Sequence, residues 1–302
     1  MLTKLRAAAI CAVGAVTVFL VVGTVAASAQ RANPSPADPY RDVVVSPDSA
    51  VAAVKAIVGT SSMSQSLQGP SVSGSAVQTN DLASAGIIDG ALGRFYKVEG
   101  SQVSAYVDAH DGHVGQLLVL SYVPSATSAT PISPEQAQSI ASSYLAARGI
   151  SVSGLTCNVS TKDRGIAHTY VVTWQRLVNG AVVPDSRLVE MDANTGFVFR
   201  MYDTTRPYSA PPNPTVTQQQ AIKSAATAAI ADLSSAAGSP GSVPSGLSAP
   251  SYTVGGEELD VSFNADGVQQ LGWTVRLTIG GIDHYIVNVD AATGATTIIG
   301  RG

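Results

Sequence analysis

One short word is written three times in this chain: "YVDAHDGHVG" at 106–115, "EMDANTGFVF" at 190–199 and "VNVDAATG" at 287–294. An aspartate leads each copy (Asp108, Asp192, Asp290) and a glycine closes its turn (Gly112, Gly196, Gly294). Recurrence of this kind within 302 residues marks a repeated structural unit, so the fold must be one that can be built three times over.

The residues upstream repeat as well. "SPDSAVAAVKAIVG" (46–59), "SPEQAQSIASSYLAARG" (133–149) and "TQQQAIKSAATAAIADL" (217–233) each open on a side chain that can cap a first turn: Ser46, Ser133 and Thr217. Pro47 and Pro134 suit the first helical position, and Asp48 and Glu135 complement the positive end of the helix dipole. Apolar residues follow at helical spacing, as in Ala137, Ile140, Ala141, Tyr144 and Leu145, or Ala221, Ile222, Ala225, Ala229 and Leu233. From cap to aspartate the distances are 62, 59 and 73 residues, the third lengthened by a Ser/Gly/Pro-rich insert at 234–251 that reads as a flexible loop.

Between helix and aspartate the apolar period changes to two. "RFYKVEG" and "QVSAYVDA" in the first copy, "TYVVTW" and "RLVEMDA" in the second, and "WTVRLTIGG" and "HYIVNVDA" in the third read as strands with one buried face. Each unit is expected to run helix, loop, strand, strand, turn, strand. The expected fold class is therefore α+β, with tandem repeats of a helix packed on a small antiparallel β-sheet, placed at 46–123, 132–203 and 215–302. Pro/Ser/Thr-rich stretches at 31–42, 123–131 and 204–215 read as linkers that space the units.

On this reading the recurring carboxylates are turn formers: the glycines supply positive φ and each aspartate accepts backbone N–H groups of its turn. Ligand binding and catalysis are the alternatives. The first copy holds the metal candidates, Asp108, His110, Asp111 and His113, because two imidazoles beside carboxylates around a turn suit Zn²⁺ or Cu²⁺. The other copies have Asn194 and Phe197, or Ala292 and Ala295, at the histidine positions, so the scaffold does not require them. Trp174 and Trp273 read as core anchors. Glu257, Glu258 and Asp260 read as a solubilising loop cluster without the spacing of a Ca²⁺ loop.

The N-terminus carries an instruction of its own. Lys4 and Arg6 precede an apolar run from Ala7 to Ala27 closed by "ASA" (27–29), so residues 1–29 read as a signal peptide, with an uncleaved membrane anchor as the alternative, and 30–45 as a linker. The protein is accordingly expected outside the cytoplasm, secreted or on the cell surface, touching the membrane only through that segment if it is retained. Charged residues are 13% of the chain and the net charge is −4, which leaves no basic field for nucleic acid. After cleavage only Cys157 remains; it reads as a small buried hydrophobe, and no intramolecular disulfide is available. "NVS" (158–160) is a formal glycosylation sequon. H-E-x-x-H, G-x-S-x-G, C-x-x-C and phosphate-loop patterns are missing, so neither an enzyme nor a cofactor is expected.

"SPEQAQSIASSYL", "HTYVVTWQRLVNGAVVP" and "RLVEMDANTGFVF" together resemble the PepSY module, named for peptidase propeptides and YpeB. "HYIVNVDAATGATTIIG" is similar, and the first copy matches mainly through "YVDAHDGHVG", so the resemblance spans roughly 46–300 as about three tandem units. It implies a non-catalytic module of the exported proteome; in peptidase precursors such modules hold the peptidase inactive and assist its folding. With no peptidase domain after Gly302, control is expected to act in trans on a secreted peptidase, with strand edges receiving the partner. A structural or sensory cell-envelope ectodomain, and a metal-binding protein acting through the 108–113 turn, are the other readings.

Overall fold

The computed structural model describes residues 42–59, 79–90, 93–122, 130–164, 167–209, 211–236, 251–263 and 268–301. The signal or anchor segment, nearly all of the first linker, most of the second and most of the 234–251 insert lie outside the described residues.

Helix α1 spans Pro47–Gly59, α2 Pro134–Ala146 and α3 Gln218–Ala236. Each begins where a side chain caps it. Ser46 Oγ accepts from Ser49 N at 3.1 Å. Ser133 and Gln136 form a reciprocal capping box, with Gln136 N donating to Ser133 Oγ at 3.2 Å and Ser133 N to Gln136 Oε1 at 2.8 Å. Thr217 and Gln220 repeat that box at 3.3 and 2.8 Å.

Among the described residues four strands follow each helix. After α1 come β1 (Ala83–Gly90), β2 (Gly93–Glu99), β3 (Val103–Asp108) and β4 (Val114–Val119). After α2 come β5 (Thr156–Arg164), β6 (Ala167–Val178), β7 (Ala181–Asp192) and β8 (Val198–Thr205); after α3, β9 (Tyr252–Phe263), β10 (Gln269–Ile279), β11 (Asp283–Asp290) and β12 (Thr296–Arg301). Within each set the strands pair antiparallel in chain order.

The sets do not close into separate small sheets, and the expected architecture of helix-on-small-sheet repeats is corrected here. All twelve strands belong to one mixed sheet, ordered β1-β2-β3-β4-β8-β7-β9-β10-β11-β12, with β6 on the other edge of β7 and β5 beyond it. Edge strands carry unpaired N–H and C=O groups, and two joins satisfy them. β4 and β8 pair antiparallel through Gln116↔Tyr202, Leu117↔Met201 and Leu118↔Arg200. β7 meets β9 in parallel at Val182↔Asp260.

Packing follows the joins. A single core runs under both α1 and α2, with Val54, Leu117, Leu145, Trp174, Met191 and Met201 buried together. A second lies under α3 around Val275, Leu277, Tyr285 and Val287. A third, of Ala181, Val183, Leu259, Val261 and Ala291, ties the β6–β7 hairpin to β9.

Two further expectations change. Strands β1, β5 and β9 occupy stretches read as loop, and Glu257, Glu258 and Asp260 lie inside β9. There Leu259 and Val261 face the third core, Glu257 lies exposed on their side near α3, bonded by Gln218, and Glu258 and Asp260 alternate to the opposite side. The 204–215 stretch is not a free spacer: it starts within β8 and carries buried Arg206 and Pro211.

Candidate functional site

The three words fold into the same turn. The terminal glycines have φ of 78°, 70° and 77° at Gly112, Gly196 and Gly294. In each, the glycine N donates to the aspartate carbonyl, at 3.0, 2.9 and 2.9 Å, and the aspartate Oδ1 accepts the backbone N–H groups two and three residues on. The alanine after each aspartate is buried and fastens the turn to its helix: Ala109 O accepts from Val44 and Val45, Ala193 O from Ile132, and Ala291 O from Thr215 and Val216. One aromatic side chain per copy seals that entry, with Tyr96 and Tyr170 hydroxyls donating to Val45 O and Ile132 O, and Trp273 Nε1 to Val216 O.

The second carboxylate oxygen separates the copies. Asp108 Oδ2 accepts from Arg206 Nη2, and Asp192 Oδ2 accepts from the Tyr122 hydroxyl. Arg206 comes from the stretch after β8 and Tyr122 from the stretch after β4, so each set of strands sends a side chain to the other's aspartate. Both aspartates are 1% exposed. Arg206 also lies over the Phe95 ring, and Tyr122 stacks on Phe197 and Phe199 at centroid distances of 5.1 and 4.7 Å. Burial, together with the bond to Asp192, pushes the Tyr122 hydroxyl far up, so it stays protonated and donates. Asp290 is only half-buried, and among the described residues nothing bonds its Oδ2.

The four metal candidates do not converge. Asp108 is taken by its turn and by Arg206, and Asp111 Oδ1 accepts from His113 N at 2.8 Å. His113 Nε2 lies 3.1 Å from Asp203 Oδ2, a bond that outweighs desolvation and raises the imidazole pKa. Among the described residues no group of three or more His, Cys, Asp or Glu side chains is arranged to hold a metal ion. Asp203, itself buried, instead opens a charge chain that runs out toward the surface: Arg187 reaches Asp203 and Asp185 at 2.7 Å each, and Arg176 reaches Asp185 at 2.5 Å.

A second cluster sits where β7 meets β9. Asp260 is held by Thr274 Oγ1 at 2.5 Å, its Oδ1 is buried without a partner, and desolvation lifts its pKa to about 6. Glu258, also raised by desolvation, accepts from Gln175 Nε2 at 3.3 Å. Cys157 is a free, half-buried thiol whose pKa burial raises. His284 Nδ1 lies 3.1 Å from Thr278 Oγ1 as an exposed cross-strand pair. No helix among the described residues is long and apolar enough to cross a membrane.

Tyr122 and Arg206 were missed by sequence reasoning. Each stands 14 residues after a turn aspartate, a correspondence visible once the words are aligned, but nothing local says that the two side chains exchange.

No family model matches the chain and no curated protein does. Among solved structures it is similar, distantly, to the YpeB C-terminal domain of Bacillus megaterium: 16% identity over 84% of this chain and 97% of that one, with a TM-score of 0.36. A likeness this weak identifies no function.

Proposed function

We propose that the chain is an exported, non-catalytic protein-interaction module of three PepSY-like units that restrains a secreted peptidase in trans. The observation that supports it is the open strand edge. Among the described residues β1, β5 and β12 each pair on one side only, and such an edge can receive an extended segment of a partner by main-chain hydrogen bonding. A peptidase is a natural partner for such an edge, because an active-site cleft that holds substrates extended also holds a strand. The sequence resemblance points the same way. The Lys4, Arg6 and Ala7–Ala27 pattern supports a location outside the cytoplasm.

The apolar run supports a second reading, a structural or sensory ectodomain held at the membrane. One experiment separates the two: capture on the purified chain of proteins exported by the host, then assay of each captured peptidase with and without the chain. A peptidase slowed in proportion to added chain is the expected result. Capture of wall or membrane components alone, with no peptidase affected, rejects the regulatory role in favour of the ectodomain.

A further inference from the structure

The two clasps are related by a register. Asp192 follows Asp108 by 84 residues, Met201 follows Leu117 by 84 and Arg206 follows Tyr122 by 84. Leu117 and Met201 are also the residues that face each other across β4 and β8. A pseudo-two-fold axis therefore passes between them, and the join is an interface of one surface with its own counterpart. On each side the clasping side chain stands five residues beyond the central one, and it reaches the opposite aspartate.

Strand β12 is the third counterpart. Ile298 pairs with Val287, three residues before Asp290, as Leu117 pairs with Ala105 and Met201 with Val189. Here the join is not made. Among the described residues β12 has only β11 beside it, Ile299 is 38% exposed, and Asp290 keeps Oδ2 unbonded. A bulge at Ile299 bends this edge directly after Ile298, whereas the bulges of β4 and β8, at Gly115 and Phe199, lie two residues before Leu117 and Met201 and outside the stretch that pairs.

We propose that β12 and Asp290 form a docking surface for an extended segment of another protein. The segment pairs antiparallel with β12, sets an apolar residue opposite Ile298, and carries an Arg or Tyr five residues further on whose guanidinium or hydroxyl bonds Asp290 Oδ2. This rests on the reading that the chain works by receiving a partner segment, and it names the recognition pattern. A second copy of the chain fits less well, since its Arg301 stands three residues past Ile298 rather than five and already lies 3.3 Å from Asp232.

The chain itself supplies the probe. A synthetic peptide of residues 198–208, "VFRMYDTTRPY", contains the central Met201 and the clasping Arg206. Titrated into the full chain by calorimetry, it is expected to bind and to slow amide exchange across Thr296–Arg301. Asp290→Asn keeps an oxygen for the turn N–H groups, so the turn persists, but it is expected to weaken the peptide about fivefold to tenfold, the range of a modest ion pair. The Arg206→Ala peptide should lose the same factor, and the two changes together no more than one.

Protection that appears on β4, β8, β1 or β5 instead of β12, or an Asp290→Asn chain that binds as tightly as the original, overturns the proposal. So does concentration-dependent self-association that protects Thr296–Arg301 without peptide, which assigns the edge to a second copy. A host peptidase slowed equally by the original and Asp290→Asn chains sinks the docking surface while leaving the regulatory reading intact. Peptide binding at β12 with no peptidase affected does the reverse.

Discussion

Removing the guanidinium of Arg206 tests the clasp where it is most buried. Arg206 is 7% exposed and Asp108 is 1% exposed, so Arg206→Ala leaves a carboxylate inside the protein facing a void. Breaking one side of a buried pair costs about 3–5 kcal/mol, because the remaining charge is neither solvated nor matched. Two turn N–H groups, of His110 and Asp111, still bond Asp108 Oδ1 and offset part of that, which places the expected loss near ~3 kcal/mol. Urea unfolding followed by Trp174, buried in the core shared by α1 and α2, reads this directly in a Trp273→Phe background. The midpoint should fall with the slope unchanged. Asp108→Asn with Arg206→Ala should recover part of the loss, giving a coupling of about 2 kcal/mol or more. A shift below ~1 kcal/mol, the value of an exposed pair, or simple additivity of the two changes, refutes a buried reciprocal clasp.

Other outcomes follow from the same geometry. Tyr122→Phe keeps the stack on Phe197 and Phe199 but leaves Asp192 Oδ2 without a donor, and should lower stability by about 1.5–3 kcal/mol on the same assay. Asp260 has a folded pKa raised to about 6, so folding favours its protonated form, and the stability this lends is lost as pH rises from about 4 through 6. Asp260→Asn should remove that slope and stabilise the protein at pH 7 by on the order of 2 kcal/mol, measured by denaturation across pH. His113 is shifted the other way in charge: its raised pKa lends stability that is full below the ordinary imidazole value and declines as pH rises through the raised one, so His113→Gln should flatten stability in that upper window. Gly196→Ala should cost more than Gly294→Ala in thermal melts, since both have positive φ but only at Gly196 would the new Cβ sit 2.8 Å from a neighbour, Ile140 Cδ1.

Local chemistry was legible in the sequence and long-range pairing was not. Ser46, Ser133 and Thr217 announce their helices because a cap is satisfied within three residues. The aspartate turns were readable for the same reason, with every bond of Asp108, Asp192 or Asp290 Oδ1 falling inside its own word. Strand β9 was hidden because Glu257, Glu258 and two glycines make "GGEELDV" look like a loop, whereas Leu259 and Val261 alone face the core. The fusion of the strands into one sheet had no local signature: which edges meet depends on how β4 and β8 present themselves in space. Tyr122 and Arg206 were overlooked because they lie beyond the last strand of their sets, Arg206 inside the 204–215 stretch read as linker and Tyr122 just before the one at 123–131.

The most direct test of the whole account is an inhibition titration. Purified chain is added to each peptidase secreted by its host, and hydrolysis of a peptide substrate is followed at several chain concentrations, with the Asp290→Asn chain in parallel. At least one peptidase should slow in a saturable, near-equimolar manner, with the Asp290→Asn chain acting about fivefold to tenfold more weakly. Full activity of every peptidase at a large molar excess of chain contradicts the account.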